Sequence, residues 1–132
     1  MPVKRDSDVE LEEVGRGDGV EVRRFITEDD GAPNFNLRKF YMEPGGGMPR
    51  HYHPGTEHEQ YLIQGEIRLT LGGGDEDEHE DEHEETQTVE SGDTVYIPAG
   101  TPHEYEVVSD EPAEFICVVP QGETETVFVD KE

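Results

Sequence analysis

Four of the six histidines in this chain stand at spacings that let their imidazoles meet. Residues 45–65 read GGGMPRHYHPGTEHEQYLIQG and residues 92–107 read GDTVYIPAGTPHEYEV. His51 and His53 are two apart, so on a strand both leave the same face. His103 follows the Pro98-Ala99-Gly100 turn, which should deliver it to the next strand aimed at the same spot. His58 is the natural fourth member. Three or four neutral imidazoles converging on one point make a site for a divalent metal such as Mn, Fe, Co, Ni, Cu or Zn. Burying several imidazoles with nothing to bind would instead cost unsatisfied hydrogen bonds.

The fourth position has two candidates, His58 and Glu57. They are neighbours, and adjacent strand residues point to opposite faces, so only one of them faces in. The difference is chemical. Four imidazoles leave the ion its full charge, whereas a carboxylate ligand would halve it. Four protein ligands on a six-coordinate ion leave room for a small substrate chelating through oxygen, whose carbonyl the metal would polarise.

The elements that must position these residues read with a period of two rather than 3.6. Strands are expected at Val20–Ile26, Asn36–Glu43, Met48–His53, Glu59–Gln64, Glu66–Leu71, Thr86–Val89, Thr94–Ile97, His103–Val108, Glu114–Val119 and Thr124–Val129. Turn signals separate them, among them Pro44-Gly-Gly-Gly, Gly72-Gly-Gly, Ser91-Gly-Asp and Pro98-Ala-Gly. Short strands at this spacing predict an all-β sandwich or barrel. On the strand Glu114–Val119, Phe115 and Cys117 share one face and Ile116 and Val118 the other. Tyr61, Tyr96 and Tyr105 are expected as core or rim aromatics, and Arg50 as a structural ion-pair residue.

Length and composition bound the rest. With 132 residues the chain makes one domain, read as residues 18–132 behind an N-terminal arm, residues 1–17. That arm is expected to fray or to add to a neighbouring subunit. Residues 75–85, DEDEHEDEHEE, form an acidic insert expected at a hairpin tip, where His79 and His83 make at most a loose cation trap. The first ten residues are polar, so no secretory signal is expected, and no apolar run is long enough to span a bilayer. A single cysteine, Cys117, allows no internal disulfide and fits a reducing cytoplasm.

Asp and Glu number 34 against 10 Lys and Arg, a net charge of −24. Such a balance argues against nucleic acid, whose phosphates need clustered cations. The apolar residues sit in alternating runs, so the acid excess reads as a folded surface adapted to high salt. There the screening length falls to about 3 Å and self-repulsion is damped.

The two histidine segments resemble the paired motifs of the cupin superfamily. Gly45, His51, His53 and Gly65 fit the first motif, with His58 where that family usually places Glu. Gly92, Pro98, Gly100 and His103 fit the second, with Val107 where Asn is usual. The resemblance covers roughly residues 36–120 and is greatest to small single-domain cupins with an all-histidine site, some of which bind manganese. It implies a small antiparallel jelly-roll barrel (a double-stranded β-helix) with the metal in its mouth. One divalent ion per chain is implied at His51, His53, His58 and His103, manganese or iron first and nickel, copper or zinc after. Cys117 is implied to face the cavity, the plain alternative being a buried apolar cysteine, with Phe115 and Glu57 as further lining candidates. The expected activity is a metal-dependent dioxygenase acting on a small oxygen-bearing molecule. The alternatives are a metal-dependent isomerase, epimerase or lyase of a sugar or keto acid, and a non-catalytic binding module. A homodimer is expected, because a small barrel leaves edge strands to cover.

Overall fold

The computed structural model describes residues 3–72, 85–122 and 126–128. In chain order the strands are β1 (Leu11–Glu13), β2 (Asp18–Ile26), β3 (Phe35–Tyr52), β4 (His58–Gln64) and β5 (Glu66–Leu71). They continue with β6 (Glu85–Glu90), β7 (Thr94–Ile97), β8 (His103–Val107), β9 (Ala113–Pro120) and β10 (Val127–Phe128). Two short 3-10 turns, Asp6–Asp8 and Glu28–Asp30, are the only helical pieces among the described residues. No helix among them is long and apolar enough to cross a membrane.

Every strand pair is antiparallel, and the main ladder runs β6-β5-β8-β3-β9-β4-β7. It curls into a nearly closed jelly-roll barrel, with β2 and β10 also laid on β3. The all-β expectation holds, and most expected strands appear within a residue or two.

Alternation decides what goes inside. On β9 the buried residues are Ala113, Phe115, Cys117 and Val119; on β8 they are His103, Tyr105 and Val107; on β4 they are His58, Gln60 and Leu62. The inner faces of β4 and β8 therefore carry chemistry at one end and apolar surface at the other. The apolar part closes the barrel. Phe115 stacks on Phe40 at 5.1 Å and on Tyr105 at 5.7 Å, and Met42, Leu62, Ile67, Leu69 and Ile97 pack around them. Each such side chain contributes about 1.5–3 kcal/mol on burial. Val107 lies within this core at 2% exposure opposite Ile67, so the motif's usual Asn is replaced at an apolar position.

Pro44-Gly-Gly-Gly does not end a strand, contrary to the sequence expectation. β3 runs unbroken from Phe35 to Tyr52 and changes neighbours midway. Its first half pairs with β2 and β9, its second with β8 and β10. Glycine makes this possible. A Cβ at Gly46 would meet the Asp18 carbonyl oxygen, and one at Gly47 the Tyr105 carbonyl oxygen, so only a bare backbone can pass there. A register shift between Met48 and His51 then changes the alternation and turns His51 inward.

The N-terminal residues are tied to their own barrel. β1 pairs with β2, and Arg23 Nε donates to the Val9 carbonyl at 2.9 Å. β5 and β6 form the hairpin expected to carry the acidic insert, pairing out to Leu71 and Glu85. The insert itself, apart from Glu85, lies outside the described residues.

Candidate metal centre

Three inner faces bring the histidines together. His51 and His53 end β3 and follow it, His58 opens β4, and His103 opens β8 directly opposite His51. All four are buried, at 1% to 5% exposure. The ring centroids of His51 and His103 are 4.4 Å apart, those of His51 and His53 5.0 Å, and those of His53 and His103 5.6 Å. The donor atoms of these three lie within 4.8 Å of one another, close enough to hold one metal ion. His58 stands beside the group, stacked on His53 at 4.6 Å and 5.7 Å from His103.

Hydrogen bonds fix which nitrogen is offered. His51 Nδ1 lies 2.7 Å from the Pro49 carbonyl oxygen and His103 Nδ1 lies 2.9 Å from that of Thr101. A carbonyl only accepts, so each Nδ1 carries the proton and donates it, leaving Nε2 as a lone pair. Partners of this kind orient metal-binding imidazoles. Thr126 Oγ1 stands 3.3 Å from His53 Nδ1. His58 Nδ1 faces the Cys117 thiol at 3.7 Å. The Nε2 atoms of His58 and His103 are buried with no hydrogen-bond partner among the described residues.

Burial keeps His51, His58 and His103 neutral. It lowers the pKa of His51 to about 4, of His103 to about 3 and of His58 to about 2, with the fields of neighbouring histidines and of Arg16 or Arg38 adding to it. Neutral imidazoles, with the buried Nε2 atoms of His58 and His103 lacking a partner among the described residues, fit a divalent ion, because ligation satisfies what burial has stripped.

The other candidates fall differently. Glu57 is exposed and accepts the Tyr96 hydroxyl at 3.1 Å, so it points away from the histidines while its neighbour His58 points in. Cys117 is fully buried and sits between the two readings given for it. It receives Arg38 Nη2 at 3.3 Å and lies behind His58 rather than in open space. Phe115 packs two residues deeper, among the core aromatics. Arg50 pairs with Glu104 at 3.2 Å. Tyr61 and Tyr96 are exposed on the outer face of β4 and β7 rather than in the core, and Tyr105 is in the core, its hydroxyl accepting Gln60 Nε2 at 2.8 Å.

A cavity of about 680 Å³ opens over His53 and His58. Its wall holds Arg16, Arg24 and Arg38, none of which the sequence reading singled out. A signal for Arg38 was there: counting back by two from Phe40 and Met42 puts it on the inner face of β3. Arg16 sits in the β1–β2 turn, within residues 1–17, and no local pattern marks it.

Residues 38–119 match the cupin domain family. Over 75 residues the chain is 35% identical to oxalate decarboxylase of Bacillus subtilis (strain 168), covering 57% of this chain and 18% of that relative. Among solved structures, the polyketide cyclase RemF from Streptomyces resistomycificus superposes with a TM-score of 0.83 at 28% identity, over 100% of this chain and 87% of that one. A single-residue variant of Bacillus subtilis oxalate decarboxylase superposes with a TM-score of 0.71 at 26% identity, over 89% of this chain and 28% of that one. The matched span contains both histidine motifs and most of the barrel that brings them together, and the chain belongs to the cupin family.

Proposed function

We propose that this chain is a mononuclear metal enzyme acting on a small oxygen-bearing substrate in the mouth of the barrel. The observation that carries the reading is the convergence of His51, His53 and His103, with the Nδ1 atoms of His51 and His103 anchored, supported by the buried Nε2 of His58 beside them, which has no partner among the described residues. His51, His53 and His103 hold the ion and His58 completes the set. Manganese or iron suits it first, then nickel, copper or zinc.

A divalent ion ringed by neutral imidazoles keeps its charge and supplies Lewis acidity to a carbonyl or enol oxygen. The chain's own residues do the rest. The Pro49 and Thr101 carbonyls hold the two facing imidazoles in one tautomer. The buried ring faces exclude water on the barrel side, and the open side admits substrate over His53 and His58. We favour Lewis-acid chemistry on a carbonyl compound, in the class of isomerisation, lyase or ring-closing reactions. Its support is the whole-chain likeness to a polyketide cyclase. The second reading is the dioxygenase expected from the sequence, favoured by a donor set that suits manganese or iron. Assaying candidate carbonyl substrates with the metal-loaded protein in air and under argon separates them. Equal turnover supports the first reading, and loss under argon the second. Stabilisation by ligand without turnover in either gas would mean a binding module.

The acid excess supports adaptation to high salt, and a single cysteine supports a reducing, cytoplasmic setting. A homodimer fits the edge strands β6 and β7 and the exposed Tyr61, Ile63 and Tyr96 on the outer face of β4 and β7. Light scattering at high salt tests it.

A further inference from the structure

We propose that the mouth of the barrel takes a carboxylic acid, its carboxylate gripped by Arg16 and Arg38 and its other oxygen function directed at the histidines. This deepens the reading above, and rests on it only for the orientation of the acid; the arginine grip stands without the ion.

In a chain with 34 acidic residues and 10 lysines and arginines, a guanidinium has every opportunity to find a carboxylate. Arg24 pairs with Glu12, Arg50 with Glu104 and Arg68 with Glu106. Arg16 and Arg38 have no carboxylate partner among the described residues, although both are half-buried and both line the cavity over His53 and His58. The Nε of each is buried with no hydrogen-bond partner among the described residues. Nε and an Nη form the edge of a guanidinium that takes a carboxylate in a bidentate fork. Arg38 spends one Nη2 proton on Cys117 and keeps the Nε edge.

The arrangement is also strained electrostatically. Arg38 lies directly across the β2–β3 ladder from Arg24, and like charges so placed repel. Burial and the nearby Arg38 lower the pKa of Arg16. A bound anion offsets both costs. The fields of Arg16 and Arg38 reach the histidines, Arg16 at His51 and His103 and Arg38 at His58, so the grip and the ring cluster share one space. The acids on the same wall, Glu28 and Asp29, are exposed. A flat two-oxygen head beside two guanidiniums that lack a carboxylate, with a second oxygen turned to the histidines on the same cavity wall, describes a small oxo-, hydroxy- or dicarboxylic acid.

The experiment is titration calorimetry in high salt on the full chain, both metal-stripped and metal-loaded. The probes are malonate, its neutral diamide malonamide, and inorganic phosphate. Malonate is expected to bind the metal-stripped protein, with malonamide at least tenfold weaker and phosphate weaker than malonate. Arg16→Gln and Arg38→Gln should each weaken malonate at least tenfold. Arg68→Gln, which makes the same charge change on the outer surface, should leave it unchanged. Circular dichroism and metal content of each variant should match the parent, which separates loss of the grip from loss of fold. Equal binding of diacid and diamide, tighter binding of phosphate, or an unaltered Arg16→Gln/Arg38→Gln double variant would overturn the proposal. If malonate binds as expected while no metal is taken up, the grip stands and the metal reading fails.

Discussion

His51 and His103, 52 positions apart in sequence, are direct cross-strand partners, and their rings lie 4.4 Å apart. The β3–β8 ladder therefore sets the distance between two proposed ligands as rigidly as it sets its own hydrogen bonds. Binding of metal is tied to the register of that ladder.

The register passes through Gly47, where a Cβ would collide with the Tyr105 carbonyl oxygen on β8. Gly47→Ala is expected to cost about 1–3 kcal/mol, the usual range for overpacking, and to lower metal occupancy with it. Denaturant unfolding and elemental analysis on the same sample check both; loss of stability with full occupancy would uncouple the ladder from the site.

His58 and Glu57 make a sharper pair. His58→Ala should lower metal affinity by at least about tenfold, a loss typical even for residues that only support a ligand. Glu57→Ala should not, because its carboxylate is exposed and engaged by Tyr96. The reverse pattern, read by competition with a metal chelator, would shift the fourth ligand to the carboxylate.

Acid should weaken the metal-stripped barrel. Burial holds His51 at about 4 and His103 at about 3, below the ordinary value of 6.5. The unfolded chain then binds protons before the folded one does. The histidines' contribution is fully present above pH 6.5, shrinks as pH falls, and is lost through about 4 and then 3. A His51→Gln/His103→Gln variant should show a shallower decline between pH 6.5 and 4 than the parent. Equal slopes in chemical unfolding would mean the rings are not held neutral.

Much of this was legible in the sequence because alternation is local. The faces of β4, β8 and β9 follow from counting by twos; the same counting says that only one of Glu57 and His58 faces in, and the resemblance to the first cupin motif points to His58. The continuity of β3 was not legible. Pro44-Gly-Gly-Gly reads as a turn, and only the close approach of Asp18 and Tyr105 across the barrel shows why bare backbone is needed there. Arg16 was hidden for the same reason. Its place depends on β1 folding back on β2, a three-residue pairing with no apolar pattern.

The acid excess carries its own expectation. With a net charge of −24, the fold should lose structure on dialysis into dilute buffer and recover in molar KCl. A circular-dichroism melt indifferent to salt would remove the high-salt reading and leave the barrel untouched.

The measurement to make first is elemental analysis of the protein purified at high salt, beside the His51→Ala/His103→Ala variant. About one divalent metal per chain is expected in the parent and almost none in the variant, whose circular dichroism should remain that of a β-barrel. A parent with no stoichiometric metal, even after reconstitution with manganese, iron, nickel, copper and zinc in turn, would contradict the metal centre.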